Sequence, residues 1–223
     1  MLMPIRVKIC GLNTRSALAA AVSGGARYVG FVFFRGSPRY VEPVYAGSLA
    51  ATVPNAVFRV GLIVDAEDAL LREIVARVPL DMLQLHGSES PQRVAEIRER
   101  LGLPIMKAIA IAEHVDLADV ADYAAVSDRL LFDARPPADA SRPGGNALSF
   151  DWRLLGGRRW PVPWLLAGGL DTDNLAEAVR LSGAGEVDVS SGVEDAPGHK
   201  SVDKILSFLA AAARLESEAG HSG

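Results

Sequence analysis

Ile5-Arg6-Val7-Lys8-Ile9-Cys10-Gly11 alternates apolar and polar side chains for six residues and stops at a glycine. Period-two alternation marks a strand whose two faces meet different surroundings. Glu186-Val187-Asp188-Val189-Ser190 repeats the pattern near the other end of the chain. If the valines and isoleucines face a layer of helices, Arg6, Lys8 and Cys10 share the opposite side with Glu186, Asp188 and Ser190. Arg6 with Glu186 and Lys8 with Asp188 are then expected as interior ion pairs, because lone buried charges are prohibitively costly. That requires the first and last strands to be neighbours, as in a closed ring and not in an open sheet of Rossmann order. By the same parity Arg59, Lys107 and Arg129 are expected to point inward.

Between these two stretches the chain alternates short β-branched runs with longer amphipathic ones. Tyr28–Phe34, Val57–Val64, Met82–Leu85, Ile105–Ile109, Leu130–Phe132 and Trp164–Ala167 read as strands. Helical spacing follows Thr14, covers Val44–Val53 weakly, and runs over Ala66–Val78, His114–Ala125, Asn174–Leu181 and Val202–Leu215. Ser90-Pro91 is a cap with proline at the first helical position, leading a stripe of Val94, Ile97 and Leu101. Eight strands, each followed by a helical segment, take about 28 residues per unit of the 223. The expected fold is α/β, a single (βα)8 barrel with a parallel, closed eight-stranded sheet, since closure removes both sheet edges. Residues 1–215 are expected to form the barrel domain and 216–223 a frayed polar tail. The long irregular segment Ala134–Ser149 follows the sixth strand, on the face where barrel active sites lie, and reads as a lid.

Composition narrows the function. With 49% hydrophobic and 22% charged residues the chain has enough apolar surface for a core and is no disordered segment. Lys and Arg total 23 against 27 Asp and Glu, a net charge of −4, which gives no footprint for nucleic acid. The single cysteine excludes an internal disulfide framework and points to a reducing, cytoplasmic compartment. Arg6 and Lys8 interrupt the first apolar stretch, so no secretory signal is expected, and no run is long enough for a membrane span. No nucleic-acid partner and no membrane partner is expected. The four histidines lack metal-ligand spacing, and no Walker loop, dinucleotide fingerprint or nucleophile elbow is present, so no cofactor and no metal are expected.

Several residues stand where strands end. Cys10 ends the first strand before Gly11; a lone cysteine is commonly an inert hydrophobe, but the C-terminal end of a barrel strand reads as catalytic. Asp133 ends the sixth, three strands away around the ring, where it either flanks the strand or faces Cys10 as an acid facing a base. Ala167-Gly168-Gly169-Leu170 follows the seventh strand and Ser190-Ser191-Gly192 the eighth. Free backbone N–H groups in those two loops suit a phosphate. Arg39, in Ser37-Pro38-Arg39-Tyr40, offers a carboxylate clamp. His86, in Gln84-Leu85-His86-Gly87, suits a binding or structural role.

Taken together, these residues resemble the phosphoribosylanthranilate isomerase family of tryptophan biosynthesis. The resemblance rests on Lys8-Ile9-Cys10-Gly11, Val29-Gly30-Phe31-Val32-Phe33, Ser37-Pro38-Arg39-Tyr40, Gln84-Leu85-His86-Gly87 and Gly144-Gly145. It continues through Phe150-Asp151-Trp152, Ala167-Gly168-Gly169-Leu170 and Asp188-Val189-Ser190-Ser191-Gly192-Val193-Glu194, in order along nearly the whole chain. It implies a small phosphosugar as substrate, a monomer or homodimer as the assembly, and a cofactor-free Amadori rearrangement with Cys10 as general base and Asp133 as general acid. It also implies substrate contacts at Arg39, His86 and Asp188, with phosphate contacts at Gly145, Gly168, Gly169, Ser190, Ser191 and Gly192. A departure is Ala147, where the family commonly has glycine. The competing readings are the related histidine-pathway isomerase, which typically has an aspartate at the position of Cys10, and indole-glycerol-phosphate synthase, which asks for a strand-end lysine. A non-catalytic phosphosugar-binding barrel would need neither Cys10 nor Asp133.

Overall fold

A computed structural model describes residues 2–136, 144–145 and 148–218. Most of the expected lid (137–143 and 146–147, with the alanine at 147) and the last five residues of the expected tail lie outside these. A short strand β1 (Leu2–Pro4) is followed by β2 (Arg6–Cys10), α1 (Arg15–Ser23), β3 (Tyr28–Val32), α2 (Pro43–Ala50), β4 (Phe58–Ile63), α3 (Asp68–Arg77), β5 (Met82–Leu85) and α4 (Pro91–Leu101). Then come β6 (Ile105–Ile111), α5 (Val120–Val126), β7 (Arg129–Ala134), β8 (Trp164–Leu166), α6 (Leu175–Ser182), β9 (Glu186–Val189), the hairpin β10 (Glu194–Ala196) and β11 (His199–Lys200), α7 (Val202–Ala212) and β12 (Glu216–Glu218). Strands β2 to β9 form a closed parallel barrel, in chain order around the ring.

Local signals set the helix ends. Thr14 Oγ1 accepts from the Ala17 amide and opens α1, and Ser90 does the same for α4 through Arg93, with Pro91 at its first position. Gly102, at φ 65, ends α4 in the left-handed conformation that glycine takes without a Cβ clash. The stripe of α4 is buried at Val94 and Ile97 against the sheet.

The barrel closes where the alternation placed it. Arg6 pairs in register with Glu186 and Lys8 with Asp188, and the side chains meet at 2.5 and 2.8 Å. The Lys8 pair is interior as expected, whereas the Arg6 side chain is 44% exposed, so that pair lies at the rim. Glu186 is 3% exposed; it also accepts from Tyr28 Oη at 2.7 Å and Arg129 Nη1 at 3.0 Å, so Arg129 faces inward as expected. Tyr28, Val60, Met82, Met106, Ala108, Leu131, Leu165 and Ala167 fill the interior above this cluster. Ile9, Val29, Leu83, Ile105, Phe132 and Val187 pack outward under the helices.

Two inward assignments are corrected. Lys107 lies in register with Leu85, an outward residue, while its neighbours Met106 and Ala108 fill the interior. Its ammonium sits under the helix layer, 2.8 Å from the buried Glu89 and 2.7 Å from the Gly87 carbonyl. Arg59 is in register with outward Val29 and forms a two-pronged pair with Asp81 at 2.7 Å on each prong. Each charge faces outward because a carboxylate waits for it there.

Three element boundaries also differ from expectation. His114–Leu117 is a 3-10 turn, and only Val120–Val126 is α-helical. Between β7 and β8 the described residues contain one 3-10 turn (Trp152–Leu154) and no α-helix. Phe132, Trp160 and Trp164, with ring centroids 4.6–6.4 Å apart, cover the sheet there. Glu216–Glu218 does not fray: it pairs antiparallel with Leu2–Pro4. Leu215, whose carbonyl accepts from the Ile5 amide, leads the chain alongside its own beginning, and a backbone ladder needs no apolar side chain.

Candidate active site

The C-terminal ends of the barrel strands surround a funnel of about 750 Å³, measured out to its solvent opening. Cys10, Arg39, His86, Asp133, Gly145, Gly168, Gly169, Asp188, Ser190 and Ser191 all line it. Gly192 does not; a Cβ on it would collide with the Leu170 carbonyl, so its backbone packs against the loop after β8. Val32, Phe34, Leu62 and Val64 make one wall apolar, as suits a flat aromatic group.

Cys10 ends β2 and is 4% exposed. Gly11 turns the chain at φ 79, and a Cβ there would come within 2.7 Å of the Arg39 side chain. Burial pushes the Cys10 thiol above its ordinary 9.0; Lys8 pulls it down, and Asp188 raises it again. The resting group is therefore the thiol. Forming the thiolate means removing that proton against the cost of burial, with the Lys8 charge, shared with Asp188, as partial compensation. Burial works against the Lys8 charge too, but Asp188 and Cys10 raise its pKa overall.

Asp133 ends β7 and is 7% exposed. Its Oδ1 accepts from the Ala134 amide at 2.8 Å, and its Oδ2 lies 3.1 Å from His86 Nε2. Gln84 Nε2 lies 2.8 Å from His86 Nδ1, and Gln84 Oε1 is buried with no hydrogen-bond partner. In this orientation Nδ1 accepts, so Nε2–H donates to an ionised Asp133. Turning the amide puts Oε1 against Nδ1–H, leaves Nε2 as the acceptor, and holds a proton on Asp133 with the same heavy-atom positions. Gln84, on β5 two residues before His86, stands in the strand-end motif quoted above without a role of its own; the structure sets its amide against the His86 ring.

The loop after β8 carries Gly168 and Gly169 at φ 91 and 64. Side chains there would meet the Ala134 amide nitrogen and the Leu148 carbonyl carbon at 2.8 Å, so only glycine leaves the backbone open to the funnel. Asn174 staples this loop, donating to the Gly169 carbonyl at 2.8 Å. After β9, Ser190 Oγ donates to the Cys10 carbonyl at 3.2 Å, and Ser191–Val193 makes one 3-10 turn.

Arg39 is 4% exposed and already grips a carboxylate: its Nε and Nη2 lie 2.7 and 2.8 Å from the two oxygens of Glu194. Nη2 also donates to the Gly145 carbonyl at 3.3 Å. Burial opposes the Glu194 charge, yet Arg39 and Lys200 hold it below the usual carboxylate range. Lys200, which the sequence reading passed over, reaches Glu194 Oε1 at 2.6 Å; burial pushes its pKa below the ordinary lysine value. No spacing rule connects residues 39, 194 and 200. Among the described residues no three His, Cys, Asp or Glu side chains gather to hold a metal ion, and no helix is long and apolar enough to cross a membrane.

The chain matches the family described as N-(5'phosphoribosyl)anthranilate (PRA) isomerase over residues 7–211. It is 59% identical over 210 residues to the N-(5'-phosphoribosyl)anthranilate isomerase of Paracoccus denitrificans (strain Pd 1222), covering 94% of this chain and 98% of the relative. A solved phosphoribosyl anthranilate isomerase in complex with reduced 1-(o-carboxyphenylamino)-1-deoxyribulose 5-phosphate superposes with a TM-score of 0.80 at 32% identity, covering 95% of this chain and all of that one. A structure described as generated monomers of the dimeric enzyme from Thermotoga maritima superposes with a TM-score of 0.81 at 33% identity and the same coverage.

Proposed function

The chain belongs to the phosphoribosylanthranilate isomerase family, and from that membership we propose how its own residues carry out the reaction. It is an isomerase of tryptophan biosynthesis, converting N-(5-phosphoribosyl)anthranilate to 1-(2-carboxyphenylamino)-1-deoxyribulose 5-phosphate. The substrate has a phosphate at one end, a carboxylate on an aromatic ring at the other, and a ribose between them. The proposed roles follow that order.

Gly145, Gly168, Gly169, Ser190 and Ser191 hold the phosphate, with backbone N–H groups meeting its oxygens, while Gly192, outside the funnel, lets the turn pack against Leu170. Arg39 holds the carboxylate beside the apolar wall. Asp133, protonated at the outset, gives its proton to the ribose ring oxygen; the C1–O bond breaks and the nitrogen lone pair forms an imine. Cys10 first gives up its own proton to solvent through the open funnel. As a thiolate beside the Lys8 ammonium it takes the proton from C2; the electron pair moves into an enolamine, which rearranges to the ketone. Lys8 and Asp188 lie beneath Cys10 and share the charge of that step, and His86 backs Asp133. Each proton transfer contributes roughly 10²–10⁴ in rate. One observation carries the proposal: the lone thiol and Asp133 enter the same funnel from strands three apart around the ring.

The proposed setting is the cytoplasm, with the described chain working as one catalytic domain, as monomer or homodimer, on a small soluble substrate and with no nucleic acid. A net charge of −4 and a single cysteine support it. The test is turnover of substrate generated in situ, followed by loss of its fluorescence. Cys10→Ala and Asp133→Asn are expected to abolish most turnover while leaving phosphate binding nearly intact. Near-normal turnover by either variant removes the assignment.

A further inference from the structure

We propose that Lys200 is a positioning residue that fixes the spacing between the phosphate turn and Arg39, so that a ligand charged at both ends is held as one piece. The inference rests on the reading of those two ends given above, and deepens it.

The Lys200 side chain is fully buried, and its ammonium uses all its donors inside the protein. One bond goes to the Ser190 carbonyl at 2.9 Å and one to Ser190 Oγ at 3.2 Å; the third goes to Glu194 Oε1 at 2.6 Å. Ser190 begins the turn assigned to phosphate, and Glu194 is the two-pronged partner of Arg39. One side chain thus touches the turn directly and Arg39 through a single carboxylate. An ammonium with three donors and no acceptor suits such a junction, since every contact is an oxygen.

The surrounding backbone reinforces that geometry. Glu194 and Lys200 face each other in the register of the β10–β11 hairpin. Gly198 at its tip packs against the Pro38 carbonyl so closely that no Cβ would fit, and Asn13 Nδ2 donates to the Gly198 carbonyl at 3.2 Å. The hairpin therefore runs from the phosphate turn to the residue before Arg39, with Lys200 closing its base. Arg39 arises on the loop after β3, far from residues 190–200 in sequence, and nothing else described joins these two parts of the site through buried charges.

A spacing device has a signature that a merely structural residue lacks. It matters for a ligand that engages both ends and little for one that engages a single end. In Lys200→Met, affinity for reduced 1-(o-carboxyphenylamino)-1-deoxyribulose 5-phosphate is expected to fall about 10-fold or more, while the competition constant for inorganic phosphate changes less than about 3-fold. The KM for substrate rises in step, with kcat within about 3-fold. Glu194→Gln, which keeps the shape but weakens the junction, is expected to show the same split if Lys200→Met folds poorly. His199→Ala, exposed on the same hairpin and outside the contacts of Lys200 with Glu194 and Ser190, is the control and is expected to leave both constants unchanged.

Arg39→Met separates the two levels of the argument. If it leaves analogue affinity unchanged, the reading of Arg39 is wrong. If it weakens the analogue and Lys200→Met or Glu194→Gln does not, the positioning role is wrong. Equal losses for analogue and phosphate, or strictly additive losses in Arg39→Met/Lys200→Met, also overturn it.

Discussion

Lys8 Nζ lies 2.8 Å from Asp188 Oδ1, joining residues 180 apart in the chain across the strand pair that closes the barrel. The pair is buried directly beneath Cys10, so it serves both the ring and the thiol. Lys8→Met strands a buried carboxylate and is expected to cost about 3–5 kcal/mol of stability. Lys8→Met/Asp188→Asn is expected to recover most of that in chemical denaturation while turnover stays at least about 10-fold down, because the charge beside the thiolate is still missing. Recovery of both would show the pair to be structural only.

The buried thiol gives a pH dependence whose sign is fixed. Burial raises the Cys10 pKa above 9.0, so iodoacetamide should alkylate the free enzyme slowly at neutral pH and steadily faster above pH 9. Because the folded state holds this proton more tightly than the unfolded chain, stability falls as pH rises past the unfolded thiol value. That part of the decline should vanish in Cys10→Ala. A plateau in alkylation below pH 8 would contradict the environment described.

His86 touches Asp133, and its other ring nitrogen is held by Gln84. His86→Ala is expected to lower kcat roughly 10- to 100-fold with KM within about 3-fold, and Gln84→Leu to lower it in the same direction. The split between kcat and KM is the further check. If His86 positions Asp133, kcat falls and KM holds, and His86→Gln restores part of the loss, whereas a change in KM alone would make His86 a binding residue.

At the opposite end of the barrel, Glu186 gathers Arg6, Arg129 and Tyr28. Glu186→Gln is expected to destabilise by about 3–5 kcal/mol in urea unfolding, since it leaves Arg129 without its carboxylate. Binding of the reduced product analogue should be unchanged, because this cluster lies at the end of the barrel away from the funnel. A change in analogue affinity would mean that the two ends of the barrel are coupled.

The legible parts of the structure were those with one polar and one apolar face. Val7, Ile9, Val187 and Val189 mark the outward side of β2 and β9 without ambiguity, so Lys8–Asp188 and Arg6–Glu186 could be read off directly. In β6, Ile105-Met106-Lys107-Ala108-Ile109 is apolar on both faces except for the lysine, and charge was taken as a sign of the interior. The partner decides instead: Met106 and Ala108 fill the interior, Ile105 and Ile109 face the helix layer, and Lys107 lies with them because the buried Glu89 pairs with it there. Cys10 and Asp133 were visible because strand ends are few and each carries a reactive group. The Arg39–Glu194–Lys200 junction was not, because only the three-dimensional path of a hairpin brings those positions together.

The ring is closed by its first and last strands, and that has a consequence for how the molecule is made. While the ribosome is still adding the later strands, Arg6 and Lys8 have no carboxylates to meet; Glu186 and Asp188 emerge only after most of the chain. Up to that point the nascent polypeptide can form its early strand-helix units but cannot bury these cations at low cost. A message truncated before codon 186 therefore encodes an open sheet with two bare edges, a species for chaperones and proteases to handle.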